Sequence, residues 1–407
     1  LRAPLLLVAA GAAALAAVGY TLLTGAEVPT VRSCVAALLV LGGIALGRDA
    51  LTLRLVAAGA VIVLLAWPES LAGASFQLSF AAVAAIVALH EHPRLRAFLA
   101  RRDEGRGRRL LRALGGLLLT GFVIELALAP IALFHFHRAG LYGAFANIVA
   151  IPLTTFVVMP LEALALLFDT VGLGAPLWWL TAAALRMLLW IAHQVAAAPG
   201  AVAALPTMPN GAFALIVAGG LWLGLWRTRL RRLGLAPLAL GAAWALATPP
   251  PDLLVTGDGR HLALVRDDGR IALLRPRAGD YVRGQLSESA GTQEEALALD
   301  TVAGARCSPD LCAAELVRGG RRWRLLATRS AYFVDIAAMN AACAAADIVV
   351  SDRRLPRSCR PRWLKADRDL LARTGGLAIR LDGPAVATVA ERAGRHPWVV
   401  ARERTLR

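Results

Sequence analysis

Residues Pro4 to Leu23 read PLLLVAAGAAALAAVGYTLL, twenty consecutive positions without a charge. A helix rises about 1.5 Å per residue, so this run is about as long as a bilayer's hydrocarbon core is thick. A soluble core helix would keep a polar face at 3.6-residue spacing, and this stretch has none. Working outward, Leu71–Leu89 and the run beginning at Leu141 have the same character. Ser33–Gly47, Leu51–Trp67, Ala113–Phe136, Pro176–Ala198, Gly211–Trp226 and Leu233–Thr248 are shorter or less clean. The expectation is an α-helical polytopic membrane protein of about nine spans, ending near Pro249-Pro250-Pro251.

Composition agrees. Of 407 residues 57% are hydrophobic and only 18% charged, and mean hydropathy is +0.59, which excludes an ordinary soluble enzyme. The net charge is nevertheless +16, from 44 basic and 28 acidic residues. Low charge density with a basic excess is what positive-inside topology leaves in a sequence. Lys365 is the one lysine, a skew that points first to genomic base composition. Residues 1–251 hold 18 basic and 9 acidic residues, against 26 and 19 in the shorter stretch 252–407. The reading is therefore a membrane domain, 1–251, followed by a small charged α/β domain, 252–407. The first residue is Leu1 and not Met, so the expectation is a fragment or a shortened chain.

The arginines orient the spans. Arg48 and Arg54 flank the second turn, eight arginines lie from Arg94 to Arg112, and Arg227, Arg229, Arg231 and Arg232 separate the last two spans. All three groups have the same parity, while the opposite loops hold only Arg32, near a span end, and Arg138. The Arg-rich loops are then cytoplasmic, and the tail is delivered outside, to the periplasm of a cell with an inner membrane. Cys34 lies within a span. Cys307, Cys312, Cys343 and Cys359 lie in the exported tail, where an even number favours disulfides with three pairings open. Free thiols are the next alternative and zinc the weakest, since close Cys-x₂-Cys knuckles are absent.

Polar residues inside apolar runs need a reason, because a charge at mid-span costs about 2.5–3.5 kcal/mol on insertion scales. Arg186, His193 and Gln194 share one helical face. Asn147, Thr154, Thr155 and Glu162 follow a similar spacing in a run interrupted by Pro152 and Pro160. Gln77, Ser79 and Glu125 are further examples. These faces are candidates for lining a wet pathway, and the competing explanation is interhelical hydrogen bonding. His135-x-His137 at a span end is read as interfacial, without a metal.

Several of these residues carry a resemblance. Pro68-Glu69-Ser70-Leu71 followed by Phe76-Gln77-Leu78-Ser79-Phe80 resembles the signature of the ComEC competence proteins, inner-membrane channels for transforming DNA. Gly25-Ala26-Glu27-Val28 with Arg32, and Asn147-Ile148-Val149-Ala150-Ile151-Pro152-Leu153, are similar to two further family segments in the same order. The resemblance covers most of 1–250. It implies a channel passing single-stranded DNA inward, with membrane lipid around it and a periplasmic DNA receptor and a cytoplasmic helicase or strand-binding protein as partners. Such help is needed because no Walker-type loop is present.

In the tail, Gly257-Asp258-Gly259-Arg260 and Asp267-Asp268-Gly269-Arg270 are turn signals between strands at Leu253–Thr256, His261–Val265 and Ile271–Leu274. Helical stretches are expected at Tyr281–Ser289 and Leu364–Thr374, and strands at Asp347–Ser351 and Gly376–Leu381. The alternation is compatible with the metallo-β-lactamase-like domain of the family. That fold's His-x-His-x-Asp-His motif is missing, and the tail holds only His261 and His396, so no cofactor, no metal and no hydrolase activity are expected. Two basic clusters are candidates for binding nucleic acid: Arg321-Arg322-Trp323-Arg324, and Arg353, Arg354, Arg357, Arg360, Arg362, Lys365 and Arg368 around Trp363. Cations hold phosphates and a ring stacks on bases, whereas a solvated Arg-rich surface is the plainer alternative. A membrane-anchored nuclease and a small-solute transporter with a sensor domain are the other function classes. The first lacks ligand clusters, and the second lacks a matching pair of broken helices.

Overall fold

The computed structural model describes residues 2–47, 52–100, 103–226 and 228–394, so Arg48, Arg227 and His396 lie outside the described residues. The chain forms two compact units, one of residues 1–203 and 210–245, the other of 204–209 and 246–407.

The first unit is helical: α1 (Arg2–Leu23), α2 (Val28–Ala45), α3 (Leu53–Ala66), α4 (Ala74–Glu91), α5 (Pro93–Leu99), α6 (Arg106–Phe136), α7 (Gly143–Leu153), α8 (Met159–Asp169), α9 (Ala175–Ala196), α10 (Asn210–Leu225) and α11 (Leu235–Ala247). Among the described residues six helices are long and apolar enough to cross a membrane: α1, α2, α4, α6, the continuous α7–α8 and α9. The other three expected spans correspond to α3, α10 and α11. These have only 14, 16 and 13 residues, fewer than the roughly 20 that a bilayer core needs. Among the described residues, six of the nine expected spans thus reach the length of a crossing.

Two local devices shape this unit. Pro152 and Pro160 have no N–H to donate, yet the helix does not break between them. Thr154–Val158 widens into a π turn in which Met159 N–H donates to the Thr154 carbonyl. The Thr154 hydroxyl donates to Ala150 O at 2.7 Å, so part of the disturbed backbone is satisfied internally. Further along, α10 and α11 approach through glycine. A Cβ on Gly219 would lie 2.6 Å from Gly234 O, and one on Gly241 would lie 2.6 Å from Ala212 O. Small residues let helix backbones meet in this way where lipid offers no hydrophobic drive. A short ribbon of β1 (Arg138–Gly140) and β2 (Val202–Ala204) ties the α6–α7 connection to the α9–α10 connection. Tyr142 supports it by donating its hydroxyl to Pro199 O at 2.9 Å.

The second unit runs β3 (Leu253–Thr256), β4 (Leu262–Val265), β5 (Ile271–Leu273), α12 (Asp280–Ala290), β6 (Leu297–Ala298), β7 (Ala305–Cys307), β8 (Leu311–Arg318), β9 (Arg321–Thr328), α13 (Ile336–Ala345), β10 (Ile348–Val350), β11 (Leu364–Ala366), α14 (Arg368–Thr374), β12 (Gly376–Arg380), β13 (Ala385–Thr388) and α15 (Val389–Ala393). One sheet has six strands in the order β13-β12-β3-β4-β5-β6, and the other has five in the order β11-β10-β9-β8-β7. Leu253, Leu262 and Leu264 of the first pack with Trp323, Leu325 and Ile348 of the second. Outside this core α12 covers Ala263, Val265 and Ile271, and α13 covers Leu326 and Val349. The layers are thus helix, sheet, sheet, helix. Strands β4 and β10 are buried on both faces, which explains why they read as continuous apolar runs.

Asp252, just after the three prolines, ties this unit at its entrance. Its carboxylate accepts from Arg318 Nε at 2.6 Å and from the Leu381 N–H at 2.7 Å. One expected helix is corrected. Leu364–Thr374 is a strand, then a helix, because Leu364–Ala366 pairs in parallel with Ile348–Val350 before Asp367 caps α14. Tertiary pairing overrides local propensity there.

Candidate functional site

The polar residues of the spans separate into those the bundle satisfies and those it leaves facing outward. Gln77, in the first turn of α4, donates from Nε2 to Leu71 O at 2.9 Å, and its Oε1 lies 2.9 Å from His135 Nε2. An amide oxygen only accepts, so His135 carries its proton on Nε2. The pair clamps α4 to the end of α6. His135 is a partner that the sequence reading leaves at an interface, because it lies 58 positions from Gln77.

Glu125 lies in the middle of the apolar run Ala113–Phe136. Its two carboxylate oxygens accept the Gly143 and Ala144 N–H groups at 2.9 and 3.1 Å. These are orphan donors of the first turn of α7, and a carboxylate also complements that helix end electrostatically. The close approach of Gly121 to Ala144 puts the start of α7 at the same level. Glu125 thus has a structural partner in the membrane unit.

The stripes behave differently. Asn147 and Thr155 are exposed on the chain's own surface, Glu162 is half-buried, and Arg186, His193 and Gln194 are exposed on α9. His193 Nδ1 lies 2.7 Å from Leu189 O, within its own helix. Helix α9 packs against α7, the π turn and α8, so the stripes occupy neighbouring helices. Ser79 lines a cavity among α2, α3 and α4, together with Arg32.

In the second unit the basic clusters also divide. Trp323 is 1% exposed and packs 5.2 Å from Trp363, so its ring is core and cannot stack on a base. That candidate is corrected: Trp323, Leu325 and Ala327 alternate along β9 as its buried face. Arg321 pairs with Asp347 at 3.2 Å, and Arg322 and Arg324 flank Glu315. Arg354 pairs with Asp369, Arg353 donates to the Tyr332 carbonyl, and Lys365 donates to Leu355 O and Pro356 O. Arg357, Arg360, Arg362 and Arg368 are exposed. The structure pairs Cys307 with Cys312 across neighbouring strands and Cys343 with Cys359. The second bond fastens the Arg-rich loop between β10 and β11 to α13.

At the ends of β3, β4, β5 and β10 polar groups meet. Asp258 accepts from Thr256 Oγ1 at 2.5 Å and from the Arg260 N–H at 3.0 Å. Burial alone would raise its pKa, but these hydrogen bonds and the charges of His261 and Arg260 outweigh that and hold it below the usual value. His261 is lowered by burial, against the pull of Asp258 and with help from Arg275 and Arg260. Arg275 donates to Arg329 O and Thr328 O and pairs with Asp352 at 3.2 Å. These donors do not fit a zinc centre. No three metal-ligating groups converge among the described residues, and a guanidinium stands beside the carboxylate and imidazole that are present.

Fold and site together define a polytopic membrane protein carrying a two-sheet α/β unit. The competence protein family model matches residues 1–230, and this chain belongs to that family. It is also 32% identical over 175 residues to a protein of Escherichia coli (strain K12) described as uncharacterized protein YcaI. That alignment covers 42% of this chain and 22% of the relative, so the chain spans under a quarter of that relative's length. No solved structure matches the chain.

Proposed function

We propose that this chain is part of an inner-membrane channel that passes single-stranded DNA into the cytoplasm during natural transformation. The observation that carries this reading is the family match over residues 1–230, which takes in most of the helical unit. In this reading 1–251 is the channel domain. Residues 252–407 form a periplasmic, degenerate metallo-β-lactamase-like domain without hydrolase activity. Energy comes from a cytoplasmic helicase or strand-binding protein, and strands are handed on by a periplasmic receptor.

Two features support the sidedness. The β1–β2 ribbon joins two connections of the same parity. The segment Ala204–Pro209, in the same α9–α10 connection, belongs to one compact unit with 246–407, the chain that follows α11. Within that unit Pro206 sits against Gly291. The outward-facing Arg186 and Asn147 are the pathway candidates, because a charge or amide facing pure lipid is costly.

The test is uptake of labelled DNA into the cytoplasm of a transformable host whose own copy is replaced by the full-length gene. Restored uptake that Arg186→Ala and Asn147→Ala abolish, with insertion unchanged, is the expected result. DNA left outside despite stable insertion of the wild type would sink the channel reading.

A further inference from the structure

Arg32 is the most anomalous charge in the membrane unit. It sits in the first turns of α2 and is only 8% exposed. Its guanidinium offers five N–H donors. One hydrogen bond is made, from Nη2 to Ser75 Oγ at 2.6 Å, while Nε is buried without a partner. Arg32 makes no ion pair with any described carboxylate. An arginine cannot escape burial by losing its proton, and an uncompensated buried cation is strongly destabilising. An anion beside it would compensate that charge.

The surroundings say what kind of anion. Arg32 lines a cavity of about 340 Å³ between α2, α3 and α4. Ser33, Thr52 and Ser79 are its other polar residues, and the rest of the lining is apolar, with Leu39 and Phe80 among it. Along α2 the lining runs from Arg32 to Val40, which at 1.5 Å per residue is about 12 Å. The space is therefore an elongated apolar crevice with a cation at one end. A nucleotide base would find few hydrogen-bond partners along such walls. A hydrocarbon chain needs none.

We propose that this crevice is a binding site for one anionic phospholipid, its phosphate on Arg32 and Ser75 and one acyl chain along α2. The lipid supplies a counter-charge that no described carboxylate gives to Arg32. A guanidinium is suited to this role because its fork matches phosphate oxygens. The site is independent of the DNA reading and would exist in a transporter as well.

The experiment uses the full chain, purified in mild detergent, stripped of lipid and titrated with phosphatidylglycerol or phosphatidylcholine. Bound lipid is counted by native mass spectrometry. The expected result is one phosphatidylglycerol per chain, held at least about tenfold more tightly than phosphatidylcholine, with that preference lost in Arg32→Gln and partly kept in Arg32→Lys. Ala36→Phe, which fills the crevice and leaves Arg32 in place, also loses the lipid; Val83→Trp fills it from α4 if Ala36→Phe does not insert. Equal retention by wild type and Arg32→Gln overturns the proposal. So does retention by a folded crevice-filling variant. Inorganic phosphate raising the melting temperature of wild type and Ala36→Phe alike would make this a free-anion site, and displacement of the lipid by a single-stranded oligonucleotide would make it a nucleic-acid contact; either result also overturns the lipid assignment.

Discussion

The two units solve the burial of apolar surface in opposite ways. In the second, Leu253, Leu262, Ile271 and Ile379 are fully enclosed by protein, and most arginines near the core face a carboxylate. In the first, Leu126, Phe156, Leu167 and Trp190 stand exposed on the chain's own surface, as residues do when lipid is their partner. Polar groups there are met by backbone: Glu125 by the start of α7, Gln77 by Leu71 O, Thr154 by Ala150 O. The same residue type thus has a different meaning in each unit. An exposed leucine is cargo for the bilayer in one and an anomaly in the other. Arg318 is ion-paired to Asp252 in one, whereas Arg32 in the other bonds Ser75 and pairs with no described carboxylate.

The sharpest way to break this comparison lies where the membrane unit does depend on tight protein packing. Gly219→Leu would force a side chain into the Gly234 carbonyl, which is backbone and cannot give way. Loss of the α10–α11 hairpin is expected, at about 3 kcal/mol or more, read as loss of a monodisperse peak or a cooperative melt in detergent. Gly220→Leu is the control, since a Cβ there meets nothing. Equal behaviour of the two variants would remove the glycine argument.

Core truncation in the second unit comes next. Ile348→Ala leaves a cavity between the two sheets and is expected to cost about 2–5 kcal/mol. Leu126→Ala, on the exposed face of α6, is expected to cost far less in the same melting assay. If both cost the same, lipid is not what covers Leu126. The Cys343–Cys359 bond spans a separation of 16 and fastens the loop that carries Arg357, Arg360 and Arg362. Replacing both cysteines by serine should lower stability by about 3 kcal/mol on the chain-entropy estimate, checked by denaturant titration.

How much of this was legible beforehand follows from the same contrast. Helix positions in the membrane unit could be read directly, since composition alone marks a segment for lipid. Their lengths could not: α6 begins at Arg106, seven positions before the apolar run, and α11 stops after 13 residues. Strands β3, β4, β5, β10 and β12 were legible from turn signals and apolar runs. The β8–β9 hairpin is not among the expected strands, although its Gly319-Gly320 turn and the alternation through Trp323 carry the signal. What no local pattern holds is partnership. Gln77 with His135, Glu125 with α7 and Arg32 with Ser75 are made by tertiary packing, whereas the polar stripes are singled out by spacing, the one relation that a sequence displays.

Glu125 tests the membrane half of the comparison more gently. Glu125→Ala strands two N–H donors at the start of α7, and about 1–2 kcal/mol is expected, as for loss of a helix cap. Glu125→Gln keeps one acceptor and should fall between. If Glu125→Ala leaves the melting temperature unchanged but abolishes DNA uptake, the carboxylate serves the pathway and not the helix.

The smallest expected effect is a pH dependence confined to the second unit. His261 has its pKa lowered from an ordinary value near 6.5, chiefly by burial. Above that value the ring is neutral whether the unit is folded or not, and it makes no difference to stability. As pH falls through 6.5 the unfolded chain takes up a proton that the folded unit resists, so the unfolded state gains and stability declines. The decline continues until pH reaches the lower folded value. Asp258, also held below its ordinary value, adds a loss of the same sign, but only below about pH 4. Melting followed between pH 7.5 and 5.5 should therefore fall, and His261→Gln should flatten the curve in that window while leaving the acid limb intact. A slope that survives His261→Gln would place the titrating group elsewhere, and the polar cluster at the strand ends would then have to be described without a neutral imidazole.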